Sequence, residues 1–332
     1  MPNELDKPIN IFYSEPDPDR WFKYDRYPRM LIRRIVRGKQ KPGGVATIAI
    51  NLLQGFDKIG FPYRYNDYGY ISKHPEEIAC IIGKPHLVFE KKWKNPIILG
   101  AGIYSHPIEC ADLFERYPNV KRVLVPGEWM RKMFVPLYGD KVSSWPVGID
   151  TEKWKPYDSA KTVDFLIYDK IRWQHQQQEA ELVNPVTKTL DEQNLSYHFI
   201  KYGRYTHDEL AEKLKVSKAV IFLCEHETQG LAYQQILATN TPILAWDRGG
   251  FWQDPYYYPD RVKYQPVSSV PYWDERCGIK FANADDFKGK LKIFLGKLTE
   301  FKPRDYILEN LTLEKCAEKY LEIFREVGTE LA

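Results

Sequence analysis

Cysteine is scarce, and the few present do not group. Cys80, Cys110, Cys224, Cys277 and Cys316 are scattered through 332 residues with no CxxC pair. That spacing argues against a zinc site or a disulfide framework, and a reducing cytoplasm suits it best. Long apolar runs are missing too, so no membrane span is expected. The opening MPNELDKPIN lacks a basic segment followed by an apolar core, so no signal peptide is expected. Charge of one sign is not in excess: the net is +3, too small by itself to argue for nucleic acid. No internal repeat or low-complexity segment is found, which sets aside solenoids and arrays.

What is present is an ordinary soluble composition, 43% hydrophobic and 28% charged, with 14% aromatic residues led by tyrosine. Aromatic surfaces suit sugars, bases and interfaces. The length is generous for one core and comfortable for two domains. Strand-like and helix-like stretches alternate almost throughout. INIFYS (9–14) reads as a strand and GGVATIAINLLQGFDKIG (43–60) as a glycine turn and helix. FPYRYND reads as a strand, HPEEIACII as a short helix, HLVFE as a strand and NPIILGAG (95–102) as another strand. PIECADLFERY reads as a helix, KRVLVPGE (121–128) as a strand and EWMRKMFVPLY as a helix. A polar break at 145–162 suits a linker. The alternation then restarts: VDFLIYDK, a helix over 175–193, SYHFIKYG, THDELAEKLKV, AVIFLC (219–224), a helix over 228–239, PILAWD, GIKFA (278–282) and three closing helices. Such alternation predicts parallel sheets covered by helices, in two doubly wound domains over 1–150 and 151–332.

One polar knot interrupts the second series. EHETQGLAYQQILATNTPILAWDRGG (225–250) begins where the apolar strand AVIFLC ends, the place where such sheets bind ligands. Thr228 could cap a helix starting near Gln229. Gly230 would let a group approach the backbone. The free amides of the first helical turn suit a phosphate. Glu227 would sit badly beside a bare phosphate, but a carboxylate accepts from two hydroxyls at once, as a sugar on that phosphate would require. Gln235 lies on roughly the same side as Thr228. The plainer alternative is that Glu227 and Thr228 only cap a helix.

The series Glu227-x7-Gln235, Ala238, Thr241-Pro242 and Asp247-Arg248-Gly249-Gly250 resembles the donor-site signature of retaining glycosyltransferases of the GT-B fold, family 4. LVPGEWMRKMF (124–134) is similar to the strand–helix unit near the end of that family's first domain. WPVGIDTEKWKP (145–156) is similar to its interdomain segment, and 43–60 resembles its opening glycine loop and helix. In order, these cover roughly residues 43–330. The resemblance implies two Rossmann-like domains facing each other across a cleft, the N-terminal one for the acceptor and the C-terminal one for a nucleotide-diphosphate sugar of UDP or GDP type. It implies that Glu227 holds donor-sugar hydroxyls, that the amides at Gly230, Leu231 and Ala232 hold the diphosphate, and that Gln235 stands where the family has a ribose-binding Glu. IYDKIRWQH (167–175) replaces the family's Arg/Lys stretch, with Lys170 and Arg172 as the diphosphate's cations. It further implies transfer with retention, no metal and no separate cofactor, a hexosyl donor, a glycan or lipid-linked acceptor as in polysaccharide biosynthesis, and a cytoplasmic site. The last helix, about 313–328, would pack back on the first domain.

Other candidates are weaker. His106, just after NPIILGAG, would face the sugar; otherwise it only starts a helix before Pro107. Gly43 and Gly44 would line the donor phosphates or simply turn the chain. Residues 20–41 carry nine Lys/Arg and one Asp, with Leu31, Ile32, Ile35 and Val36 at helical spacing. This stretch would be a peripheral membrane helix or a packed helix with a solvated basic side, and a nucleic-acid surface is not expected. The aromatic-rich 251–275 would shape a sugar pocket or cover the core. The rival from another class is a non-catalytic GT-B module that binds a glycan or a partner. An epimerase or phosphorylase on the same fold is a further enzymatic rival.

Overall fold

The computed structural model describes residues 7–15, 25, 28 and 44–332. The basic 20–41 segment, apart from Asp25 and Pro28, and Gly43 lie outside the described residues. The chain forms two compact units. One comprises Met1–Pro126, Phe134–Gly148 and Glu314–Ala332; the other comprises Gly127–Met133 and Ile149–Leu313.

Among the described residues, the first unit holds a six-stranded parallel sheet: β1 (Ile9–Phe12), β2 (Tyr63–Tyr65), β3 (Ala79–Ile81), β4 (Ile97–Leu99), β5 (Val120–Val125) and β6 (Val142–Ser144), in the order β2-β1-β3-β4-β5-β6. Strands β1, β3 and β4 are buried at every position, as parallel strands covered on both faces must be. The helix Gly44–Ile59 buries Ala46, Ile48, Ala49, Leu52 and Phe56 along one face. The C-terminal helix Leu313–Leu331 buries Cys316, Ala317, Tyr320, Ile323 and Val327 at the same spacing. Its Tyr320 ring meets Phe56 and Trp145 edge-on, with centroids 6.2 and 5.1 Å apart, and Trp145 Nε1 donates to the Cys316 carbonyl at 2.8 Å. Arg122 is ion-paired with Glu330 on that helix.

The second unit holds a five-stranded parallel sheet: β7 (Val163–Asp169), β8 (Tyr197–Lys201), β9 (Ser217–Leu223), β10 (Ile243–Trp246) and β11 (Gly278–Phe281), in the order β11-β10-β9-β7-β8. The chain leaves β7 for β8 on one side and returns to β9 on the other, so the order reverses between β7 and β9. The core beneath packs Phe165, Ile167, Val186, Leu190, Ile221, Leu223, Phe287 and Phe294.

Several elements differ from those the sequence predicts. IACII is the buried strand β3, and HLVFE is the helix His86–Glu90. The first is five residues of β-branched and small apolar chains, too short to favour a helix; the second follows Pro85, whose fixed φ of −76° suits a helix start. PIECADLFERY divides into a 3₁₀ turn, Pro107–Cys110, and the short helix Leu113–Arg116. The strand β6 is not anticipated. Within 145–162, Trp145, Val147, Ile149 and Trp154 are buried, and the break between the two units, after Gly148, falls inside this stretch. All five cysteines are free and buried, and burial pushes the thiols of Cys80, Cys277 and Cys316 up to about 12. Among the described residues no helix is long and apolar enough to cross a membrane.

Candidate functional site

The carboxyl ends of β7 and β9 meet where the strand order reverses, the point at which open α/β sheets form a ligand crevice. After β7 comes Lys170–Trp173; after β9 comes the polar knot. Backbone geometry joins the two runs, with Lys170 N donating to the Leu223 carbonyl at 2.8 Å. Side chains then cross between them. The Lys170 ammonium is ion-paired with Glu227, and both residues are buried, 9% and 7% exposed. Arg172, itself exposed, donates from Nη2 to the His226 carbonyl at 2.9 Å. Glu225 Oε1 accepts the backbone amides of Arg172 and Trp173 at 2.7 and 2.8 Å. Thus Lys170, Arg172 and Glu227, 57 residues apart at the extremes, occupy one strand edge.

Burial alone would lower the Lys170 pKa. The Glu227 carboxylate beside it outweighs that effect and holds the ammonium above the ordinary lysine value. The Tyr202 ring adds a second contact, 4.5 Å from Nζ to its centroid. The loop that carries Lys170 is anchored from below. Buried Asp169 accepts the Ile171 amide at 3.0 Å through Oδ1, and its Oδ2 lies 2.6 Å from His175 Nε2 and 3.9 Å from Lys201 Nζ.

The helix that follows the knot runs from Leu231 to Ala238, and no side chain caps it. Thr228 therefore does not cap it as the sequence suggests. The N-cap is Gly230, in the left-handed region at φ +77°, and this residue delays the helix past Gln229. A Cβ at Gly230 would also fall 2.0 Å from Tyr233 Cε1. The amides of Leu231 and Ala232 thus open the helix with the positive end of its dipole and no side-chain acceptor. At the other end, Arg304 Nη1 donates to the Ala238 carbonyl at 2.6 Å. Gln234, fully buried, donates to the Gln229 carbonyl at 2.7 Å and accepts from Gln229 Nε2 at 2.9 Å. Gln235 is half-buried, and its side chain makes no hydrogen bond among the described residues.

Residues 251–275 wrap this edge in irregular structure. Glu227 N donates to the Ser268 carbonyl at 2.9 Å. Ser268 Oγ and Ser269 N donate to the two oxygens of Asp247 at 3.0 and 2.9 Å. Tyr272 N donates to Tyr233 Oη at 2.9 Å, and Tyr264 Oη donates to the Trp129 carbonyl at 2.8 Å. Trp129 Nε1 in turn donates to the Glu227 carbonyl at 2.9 Å. This segment is a packed cover, and its backbone fixes the knot.

No family model and no curated protein matches the chain. Solved structures do. TarM is 14% identical over 83% of this chain and 58% of its own, with a TM-score of 0.55. The lipopolysaccharide outer core galactosyltransferase WaaB is 12% identical over 86% of this chain and 96% of its own, with a TM-score of 0.51. A trehalose-6-phosphate synthase is 11% identical over 90% and 82%, with a TM-score of 0.52. The chain spans a little over half the length of several larger chains it matches, TarM among them. The fold is that of the GT-B glycosyltransferases.

Within that fold the remaining predicted residues are dispersed. His106 is buried in the first unit, where its Nδ1 accepts the Ile108 amide at 3.1 Å and caps the 3₁₀ turn. One ring nitrogen is therefore committed to the turn. Gly44 is the first residue of the helix Gly44–Ile59, and a Cβ there would meet nothing within 4 Å. Sequence reasoning passed over Glu225, His226 and Arg248. The signal for the first two was their place directly after a buried strand. It also passed over Ser14 and His86, which meet at 2.9 Å, Oγ to Nε2, after β1 and β3, where the first sheet's own order reverses.

Proposed function

We propose that the chain is a retaining glycosyltransferase that moves a hexosyl group from a UDP- or GDP-type sugar to a glycan or lipid-linked acceptor, without a metal. The observation that carries this is the convergence of Lys170, Arg172 and Glu227 beside the uncapped start of the helix Leu231–Ala238. Two cations and a helix start suit a diphosphate, and the carboxylate beside them suits sugar hydroxyls. Breaking the sugar–phosphate bond puts negative charge on the leaving diphosphate. Lys170, Arg172 and the amides of Leu231 and Ala232 would stabilise that charge as fixed dipoles and cations. In the retaining course that the family resemblance implies, the acceptor attacks from the leaving-group side. The departing phosphate oxygen takes the acceptor's proton, so no separate base is required. Gln235 would take the ribose hydroxyls, and the acceptor would fall to the first unit. A cytoplasmic location, with membrane contact through 20–41, belongs to the same reading.

The second reading is a non-catalytic GT-B module. It draws on Gln235, a neutral amide where the resembling family has a carboxylate. Calorimetric titration with UDP, GDP, ADP and CMP, then with their sugar-bearing forms, separates the two. One nucleotide bound more tightly with its sugar attached, with Glu227→Ala removing only the sugar's share, supports the transferase. Folded protein that binds none of them sinks it in favour of the module.

A further inference from the structure

Two buried polar residues and one half-buried one, at the ends of β9 and β10, have hydrogen-bonding capacity that the described protein atoms do not use. Glu225 is 1% exposed, and its Oε2 has no partner. Its Oε1 accepts two backbone amides of the β7 loop, which fixes the carboxylate and leaves Oε2 over. His226 is 4% exposed, and its Nδ1 has no partner. Its Nε2 faces the Gln253 backbone, 3.1 Å from O and 3.3 Å from N, which fixes the ring; either tautomer leaves Nδ1 one bond to make. Arg248 is half-buried, with Nε and one Nη unpartnered, and its guanidinium lies 5.5 Å from the Trp246 ring centroid. Arg248 and Glu225 sense each other's charge, yet no ion pair within 4.0 Å joins them among the described residues. An acceptor and a set of donors are thus held apart at one strand edge. Each such orphaned group is costly to bury unless something bonds it.

The charges define the occupant. The carboxylate and the guanidinium cancel, and His226 is neutral because burial and then Arg172 lower its pKa to about 4. A carboxylate entering there would meet the Glu225 carboxylate and find no proton to accept from it. A neutral group that accepts from Arg248 and donates to Glu225 satisfies both. Glu225 and Glu227 bond to the same loop, Lys170–Trp173, so the groups lie beside the carboxylate assigned above to sugar hydroxyls.

We propose that Glu225, His226 and Arg248 form a specificity pocket for an uncharged donor–acceptor group of the transferred sugar, a hydroxyl pair or an acetamido group. This rests on the donor-site reading. The pocket selects neutral hexoses over those bearing a carboxylate.

The test uses the full chain and Glu225→Gln. That change keeps the oxygen that accepts from Arg172 and Trp173 and turns the orphaned oxygen into a donor. Arg248→Gln is the second variant, and thermal melts confirm that both fold. Calorimetry follows UDP and GDP, then UDP-glucose, UDP-N-acetylglucosamine, GDP-mannose and UDP-glucuronate. The expected result is about tenfold weaker binding of the preferred neutral sugar nucleotide by each variant, as for one lost hydrogen bond to a charged group, with the bare nucleotide within about twofold. Wild-type protein should favour a neutral sugar over the glucuronate. If the variants leave the sugar's contribution intact while the wild type binds nucleotide, the pocket holds only water and the proposal falls alone. Equal weakening of bare nucleotide and sugar nucleotide overturns it too. If the wild type binds no nucleotide, the donor-site reading fails and takes this proposal with it.

Discussion

Glu227→Gln should destabilise the protein by an amount that shrinks as pH rises. In the native chain Glu227 and Lys170 are both buried and paired. Removing the carboxylate charge strands an ammonium in the interior, and breaking a buried pair in this manner costs about 3–5 kcal/mol. At about 2–4 °C per kcal/mol for a unit of this size, the melting temperature should fall by about 6–20 °C at pH 7. The wild-type Lys170 pKa is raised on folding, so its contribution is full below the ordinary lysine value of about 10.4 and is lost as pH rises through the higher folded value. In Glu227→Gln the carboxylate no longer opposes burial, and burial lowers that pKa. The unfolded chain then binds the extra proton, and the variant regains stability as pH climbs toward about 10.4. The gap between the two melting curves should therefore narrow from pH 7 to pH 10. Lys170→Met/Glu227→Gln should cost less than the sum of the single changes by about 1–3 kcal/mol. A pH-independent gap, or strictly additive single changes, would refute the claim that the pair holds this edge.

Other outcomes follow from single residues. Gly230→Ala should destabilise by about 2 kcal/mol or more, since a left-handed φ costs an alanine about 1 kcal/mol and overpacking against Tyr233 adds about 1–3; urea unfolding measures it. His226 has its pKa lowered by burial to about 4, so the stability it contributes is full above its unfolded value of about 6.5 and is lost as pH falls from there toward 4. His226→Gln should flatten that acid limb of the melting profile by about 3 kcal/mol, and an unchanged limb would place the titration elsewhere. Gln235→Glu should tighten nucleotide diphosphate binding about fivefold in calorimetry, the difference between a neutral hydrogen bond and a charge-assisted one; no change would remove Gln235 from the ribose position.

The fold was legible where apolar runs were long enough to carry a pattern. Strands β7, β9 and β10 stand out because each contains an unbroken run of at least four buried residues. HPEEIACII and HLVFE were exchanged because apolar runs of this length hold no periodicity that separates helix from strand. Pro85 decided one of them. The start of the helix after the knot was misjudged for a related reason. Thr228 is a good cap by type, but Gly230 takes a backbone conformation that Thr228 cannot impose from two residues away.

The site was legible only in part, because charge pairing across loops leaves no trace in local spacing. The rule that ligands bind beyond strand ends drew attention to Glu227, and a resemblance drew it to Lys170, but neither could say that the two meet. Glu225 and His226 stand in the knot and Arg248 in the Gly-Gly motif, but nothing in a sequence marks a polar atom that folding will bury without a partner. Their unpartnered atoms are what the proposed sugar pocket rests on. Apolar side chains at 225 and 226 would orphan no side-chain atom of their own, though they would leave the Arg172, Trp173 and Gln253 amides without their present acceptors. The chain instead keeps a carboxylate, an imidazole and a guanidinium there, each fixed on one side and open on the other. The backbone bonds of Glu225 and His226 account for one side of each group and not for the open side, which a bound group would complete under the proposed pocket.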